Sequence, residues 1–404
     1  MKKINLGIIG LGNRGYGLLY YVLLEMDEFN IVALTDTYSD RIEQAQQLCK
    51  SKKNIEPKGY ESADDLVQDD NVDAVLIASS WETHIPLAIK AMQNNVAVAL
   101  EVGGSSDLQT LWDLVDTYEK TKTPLMFMEN CCYGRLELMT LNMVQNNVLG
   151  EIVYAHGAYA HDLRDEITFG KINRHYRLNN YIKRNSENYP THEIGPIAKI
   201  LYINNGNRFL SLSSHASKSV GLNKFLENHD KSKLELPNNI KFNQGDIVNT
   251  QILCANGELV SIKLDTTLPR YYSREFFVQG TKGLVNEENM SVFLESDIEP
   301  DDHFNWGKNF NNVDKYYEKY DHPIWKEYLN NGVRAGHDGM DYLVFKAFAD
   351  ALIEGREMPI DVYDAATWMA ITALSEQSLA TGSQVQYFPD FTRGKWIYEQ
   401  DTKI

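Results

Sequence analysis

The chain is 404 residues long, with 39 lysines and arginines against 56 aspartates and glutamates and a formal net charge of -17 at pH 7. So acidic a surface repels a phosphate backbone or an anionic bilayer, which argues against nucleic acid or membrane as partners. The length predicts two domains with ample chain for a core in each, and Cys49, Cys131, Cys132 and Cys254 lack the spacing of a disulfide framework or a structural zinc site.

Met1-Lys2-Lys3 passes straight into an apolar run, Ile4 to Ile9, so no signal peptide is expected and the chain is read as cytoplasmic. The run leads into Gly10-Leu11-Gly12-Asn13-Arg14-Gly15 and an amphipathic segment from near Gly17. Strand, glycine turn and helix in that order read as a dinucleotide fingerprint. Gly10 supplies the tight turn, Gly12 lets a pyrophosphate approach, and Gly15 lets helix and strand pack closely, with amides at the helix start facing the phosphates. A second run, Ile31 to Leu34, ends in Thr35-Asp36, about 20 residues past the last glycine. There a carboxylate accepts ribose hydroxyls and repels a 2'-phosphate, favouring NAD over NADP, although Arg14 and Arg41 are close enough to suit the alternative. A structural unit in which Asp36 only caps the next helix is the plainer reading.

Ala74 to Ala78, a helix from about Pro86 to Asn94, Val96 to Leu100, a helix from about Ser106 to Thr121, and Pro124 to Met128 continue the alternation. Strands alternating with helices predict a parallel, doubly wound sheet. Ligands of such sheets sit past the carboxyl ends of strands, which singles out Trp81 to His84, Glu101-Val102 and Asn130. Each could instead cap a helix.

From about Gly150 the runs lengthen: Ile152 to His161, Phe209 to His215, Asp246 to Ala255, Glu258 to Asp265 and Arg274 to Gly280. They predict an α+β domain with a large, mostly antiparallel, open-faced sheet. The expected division is residues 1–130 and 131–404, with C-terminal helices at about 336–381 packing back near the first domain. Tyr159 and His161 share a strand face, whereas His156 and His161 point to opposite faces, against a shared metal. Asp162 to Asn188 reads as a polar, aromatic loop of the kind that lines sites. Tyr189-Pro190-Thr191-His192 closes it, ahead of a helix from Glu193 or Gly195 to Tyr202. The stretch from about Pro300 to Gly336 reads as a surface excursion, Asp338 or Asp341 as a helix cap, and Tyr342 to Glu354 and Val362 to Thr381 as helices.

On these residues the chain resembles the Gfo/Idh/MocA oxidoreductase superfamily, through Gly10 to Gly15, Asp36 and the Glu101 turn. Within it, the chain resembles glycoside hydrolase family 109, the NAD-dependent α-N-acetylgalactosaminidases, nearly end to end. Asn13-Arg14, Trp81 to His84, Glu101-Val102, Asn130, Tyr159, Arg177, Tyr189 to His192 and Tyr272-Ser273-Arg274 carry that likeness. The resemblance implies a Rossmann domain in which Gly10, Gly12, Asn13, Arg14, Gly15, Asp36, Trp81, Glu82, Thr83, His84, Glu101, Val102, Asn130 and Tyr189 hold NAD. Tyr159, Arg177, Tyr189, Pro190, Thr191, His192 and Tyr272 would meet the sugar, with His192, Tyr159 and Tyr272 catalytic and no metal.

Sugar dehydrogenases of the superfamily follow the Glu101 position with Lys-Pro; here Val102-Gly103 stands instead. The resemblance therefore implies a glycosidase that oxidises the sugar at C3, eliminates across C1–C2, adds water and reduces C3 again with retention, its tightly held NAD regenerated each turnover. The expected substrates are α-N-acetylgalactosaminides or related α-glycosides. Glu82, Tyr271 and Gly103-Gly104-Ser105 depart from the family pattern and leave the sugar open. An NAD-dependent sugar or cyclitol dehydrogenase and a non-catalytic sensor on the same fold are the alternatives. A homo-oligomer formed through the open sheet is expected.

Overall fold

A computed structural model of the chain describes residues 3–105, 107–297, 306–332 and 337–398. Ser106, Pro300, Gly336 and the side chain of His337 lie outside the described residues. The chain divides into two compact units, one of Met1–Asn130, Val333–Thr367 and Asp401–Ile404, the other of Cys131–Gly332 and Trp368–Gln400.

The first unit runs β1 (Ile4–Ile9), α1 (Asn13–Tyr21), β2 (Phe29–Thr35), α2 (Ser39–Lys53), β3 (Lys58–Tyr60), α3 (Ala63–Val67), β4 (Ala74–Ile77), α4 (Trp81–Gln93), β5 (Ala97–Leu100), α5 (Leu108–Thr121) and β6 (Leu125–Phe127). Its six strands pair in parallel in the order β3-β2-β1-β4-β5-β6, the doubly wound arrangement read from the sequence. β4, β5 and β6 are buried along their whole length, as continuous apolar runs with both faces covered require. The periodicity misses α2, whose buried residues are only Ala45, Leu48 and Cys49 among many charges.

The second unit begins with α6 (Arg135–Gln145) and continues with β7 (Ile152–Ala160), α7 (Arg164–Thr168), α8 (Arg177–Lys183), α9 (Thr191–Ile200), β8 (Phe209–Ala216), α10 (Gly221–Leu226), β9 (Ile247–Cys254) and β10 (Leu259–Asp265). Then come β11 (Phe277–Gly280), β12 (Gly283–Asn286), β13 (Ser291–Leu294), α11 (Asp314–Tyr320) and α12 (Pro323–Asn331). The chain closes with α13 (Met340–Glu354) of the first unit, α14 (Val362–Ala380) and β14 (Gln386–Tyr387). Eight strands order as β13-β12-β11-β7-β10-β9-β8-β14, all antiparallel neighbours except β7 and β10, which run parallel. On one face α9 packs against β7. On the other, Leu253 and Leu259 sit opposite each other and are 45% and 41% exposed.

Several boundaries differ from the sequence reading. Asp162 to Asn188 is not a plain loop, because Ile167, Leu178 and Tyr181 anchor α7 and α8. The described part of the 300–336 excursion folds into α11 and α12, which bury Tyr316, Tyr317, Trp325 and Tyr328 among their charges. Both α4 and α9 begin five residues before an internal proline, Pro86 and Pro196, where a proline was expected near the helix start. A proline in the second turn removes one helical hydrogen bond and crowds the carbonyl four residues before it, and buried Trp81, His84, Ile85, Thr191 and Ile194 hold the first turn against that cost.

Gly10 adopts φ +97°, and a Cβ on Gly15 would lie 2.0 Å from the Gly10 carbonyl oxygen. Gly15→Ala must therefore push α1 off the turn. A loss of about 1–3 kcal/mol by urea unfolding is expected, as for overpacked cores, together with loss of NAD binding in a fluorescence titration.

Candidate active site

The glycine turn leaves the start of α1 open. Gly12, the cap residue, has no side chain to bond the helix amides, and among the described residues a Cβ there would approach Arg41 Nη1 alone, at 3.5 Å. Asp36, just past β2, accepts the Leu11 amide at 2.6 Å and the Tyr38 amide at 2.9 Å, with Arg41 Nη1 3.7 Å away. Uncapped amides beside a fixed carboxylate suit a pyrophosphate and a ribose diol, so the residues present fit a dinucleotide.

Trp81 to His84 form the first turn of α4 rather than a loop. Trp81 is buried, and a Cβ on Gly103 would come within 2.6 Å of its Cδ1, so no larger residue fits at Gly103 without moving the indole. The Thr83 hydroxyl sits 2.7 Å from that of Ser79, and Glu82 is exposed. His84 is buried with Nε2 3.1 Å from the Ser79 carbonyl, and burial pushes its pKa down to about 4 despite hydrogen bonds to the Ser79 and Glu101 backbone.

Arg14 bridges two carboxylates of the same unit, Glu101 and Asp341. Its Nε donates to Glu101 Oε1 at 3.0 Å, and its two terminal nitrogens donate to the Asp341 carboxylate at 3.0 and 2.9 Å. Asn130 Nδ2 donates to the same carboxylate at 2.8 Å, and the Val102 amide to Glu101 Oε2 at 3.2 Å. Burial opposes the Arg14 charge, but the two carboxylates more than offset it. Asp341 was read as a helix cap. It is the second residue of α13, and its side chain turns to Arg14 instead; only long-range contact, 327 positions apart, reveals this.

In the second unit, Gly157 and Tyr159 share the helix-covered face of β7. A Cβ on Gly157 would meet Glu193 Cβ at 2.8 Å, so the missing side chain lets α9 lie against the strand. That contact sets His192, the second residue of α9, beside Tyr159, with ring centroids 5.6 Å apart. Tyr189 packs on both, at 4.5 Å from Tyr159 and 5.0 Å from His192, and its hydroxyl lies 3.4 Å from His192 Nε2. Pro190 and Thr191 serve as cap and first residue of α9. The approach loop is pinned by Gln244, which accepts from the Ser186 amide and Asn188 Nδ2, and by the Glu187 amide donating to Ser375 Oγ at 2.8 Å.

Arg177 is buried at the start of α8, paired with Glu166, its guanidinium 4.9 Å from the Tyr189 ring centroid. Tyr272 joins the cluster through His161, which stands 5.2 Å from it and 6.1 Å from Tyr159. His156 lies on the opposite face, 3.2 Å from Glu275. Burial raises the Tyr159 phenol well above its ordinary range and lowers His161, so at neutral pH one is protonated and the other uncharged. Glu166 and His161 were not among the expected site residues, and only the period of two, placing His161 beside Tyr159, pointed to either.

Residues 4–128 match the model of the oxidoreductase family with an NAD-binding Rossmann fold, and residues 133–398 that of the glycosyl hydrolase 109 C-terminal domain. A glycosyl hydrolase family 109 protein from Stenotrophomonas maltophilia is 39% identical over 98% of this chain and 90% of its own. An alpha-N-acetylgalactosaminidase from Tannerella forsythia is 37% identical over 98% and 88%. The fold is shared with an Agrobacterium radiobacter oxidoreductase solved with NAD+, at a TM-score of 0.67 and 14% identity over 96% of this chain and 98% of that one. Fold and site thus define an NAD-binding enzyme of oxidoreductase architecture. The chain belongs to glycosyl hydrolase family 109, whose members are NAD-dependent glycosidases.

The depressed pKa of His84 has a consequence for stability. The unfolded chain takes up a proton at this side chain below pH 6.5 and the folded chain only near 4. Its contribution is therefore complete above pH 6.5 and lost as pH falls toward 4. His84→Gln should remove about 3 kcal/mol of the pH dependence across that window, read from urea unfolding at a series of pH values.

Proposed function

We propose that the chain cleaves α-N-acetylgalactosaminides or related α-glycosides by transient oxidation at C3, with the sugar seated on the cluster of Tyr159, Arg177, Tyr189, His192 and Tyr272. The observation that carries this reading is the His192 imidazole, set against Tyr159 and within 3.4 Å of the Tyr189 hydroxyl, with Arg177 4.9 Å from the Tyr189 ring centroid. An imidazole held in place by an aromatic wall is a group suited to take a proton from a sugar hydroxyl.

Bound NAD supplies a hydride acceptor for C3 and then the donor that restores it. His192 takes the C3 hydroxyl proton, since no lysine follows Glu101 to assist there. Once C3 is a ketone the C2 proton becomes acidic enough for an ordinary side-chain base. Tyr159, held protonated by burial, is suited to donate to the departing oxygen rather than to abstract at C2. His161, kept neutral, is the second imidazole available to move a proton, and Tyr272, 46% exposed, stands at the rim. Arg177, fixed by Glu166, orients hydroxyls or stabilises enolate charge.

A panel of nitrophenyl glycosides turned over in D₂O tests the reading: aglycone release with deuterium at C2 and no net NADH is expected, and steady NADH accumulation without aglycone would overturn it. His192→Ala should lower turnover by about 10²–10⁴, the range of a lost general base, while NAD stays bound; normal turnover in that variant removes His192 from the mechanism. Asp36→Ala should weaken NAD binding and leave inhibition by free sugar unchanged.

A further inference from the structure

The Arg14 cluster carries more charge than positioning a single guanidinium requires. Glu101 and Asp341 are 5% and 4% exposed at their side chains, and both contact Arg14 within 3.0 Å. One carboxylate in bidentate contact would satisfy the fork. A second one brings the formal sum of the three groups to one negative charge, in surroundings where charge is poorly screened.

Its place in the sheet gives that excess a target. Glu101 follows β5, Asn130 lies just past β6, and Arg14 is in the first turn of α1, all at the carboxyl edge of the strands. Asp36, past β2, fits the adenine-side ribose, and the other half of a dinucleotide then extends across the switch between β1 and β4 toward β5 and β6. The nicotinamide ring is positively charged when oxidised and neutral when reduced. A fixed negative charge on that side favours the oxidised form without needing to touch it.

We propose that Asp341 is a positioning residue that holds Arg14 and Glu101 as a net negative cluster and thereby selects NAD+ over NADH at this site. The fold supports its fixed placement. Phe345 and Phe348, on the same helix as Asp341, pack on Phe29 of β2 with ring centroids 6.3 and 6.5 Å apart, and Lys346 pairs with Glu28 at 3.6 Å. α13 is thus bound to the nucleotide sheet by apolar contacts that do not depend on Asp341. For an enzyme that must start and finish each turnover oxidised, such a bias keeps the resting cofactor in the reactive form.

The inference rests on NAD binding and not on the glycosidase reading, so its test uses no glycoside. Full-chain enzyme is equilibrated with NAD+ and NADH mixtures of known ratio, and the oxidised-to-reduced ratio of bound cofactor is measured by chromatography after release. Asp341→Asn, which cancels the excess charge, should lower the bound ratio about tenfold at the same free ratio, the size of one charge acting over several ångströms at intermediate dielectric. Asp341→Glu, which keeps the charge, should stay near the native ratio. An unchanged ratio in Asp341→Asn, or an equal shift in both variants, would overturn the proposal. Should Asp341→Asn fail to fold, Glu101→Gln, which removes the same single charge from the cluster, decides: the bound ratio must fall by a similar factor, and an unchanged ratio would sink the proposal.

Discussion

Close approach of a helix to a strand at a glycine is the contact on which each unit depends. In the first, Gly15 lies so near the Gly10 carbonyl that any side chain would force the turn apart, and the uncapped start of α1 is aimed by that contact. In the second, Gly157 lets Glu193 and the rest of α9 settle on β7. The distance from His192 to Tyr159 follows from it, because Tyr159 is two residues along the same face. Neither glycine acts chemically. Each removes a volume, and the chemistry falls into the space that the backbone can then occupy.

Charge is handled in the same local way. Arg14 sits between Glu101 and Asp341, Arg177 against Glu166, and Arg274 against Glu137 and Glu287, so buried Arg177 and part-buried Arg14 and Arg274 each have carboxylates in contact. Burying an unpaired guanidinium would cost several kcal/mol, and pairing it fixes its direction as well. The histidines follow the opposite course. His84 and His161 are held neutral by burial, so neither adds charge to its surroundings at neutral pH.

The strand alternation, the glycine turn and Asp36 were legible because each is a local pattern: period two, a fixed spacing, a residue just past an apolar run. Tyr189 to His192 was legible through family likeness, and the opposite facing of His156 in β7 and His161 just past it through strand periodicity. What escaped was set by packing. Helix starts were expected at about Pro86 and at Glu193 or Gly195, yet both helices begin earlier, on first turns that bury Trp81 and His84 in one and Thr191 and Ile194 in the other. α11 and α12 hid in a charged stretch, since a few buried aromatics stabilise a short helix without producing a strong periodic signal. Gly103 shows the same limit from the other side. The sequence reveals that no lysine follows Glu101, and only the Trp81 ring against Gly103 gives the reason for the small residue there.

By itself, then, the sequence determined the two sheet types, the nucleotide fingerprint and the family, because these depend on hydrophobic period and on residues a few positions apart. Tertiary structure decided which carboxylate Arg14 meets, which imidazoles are neutral, and how His192 stands to Tyr159. Those outcomes depend on burial and on contacts between residues far apart in the chain, such as Arg14 and Asp341, and no pattern along the sequence encodes the distance between them.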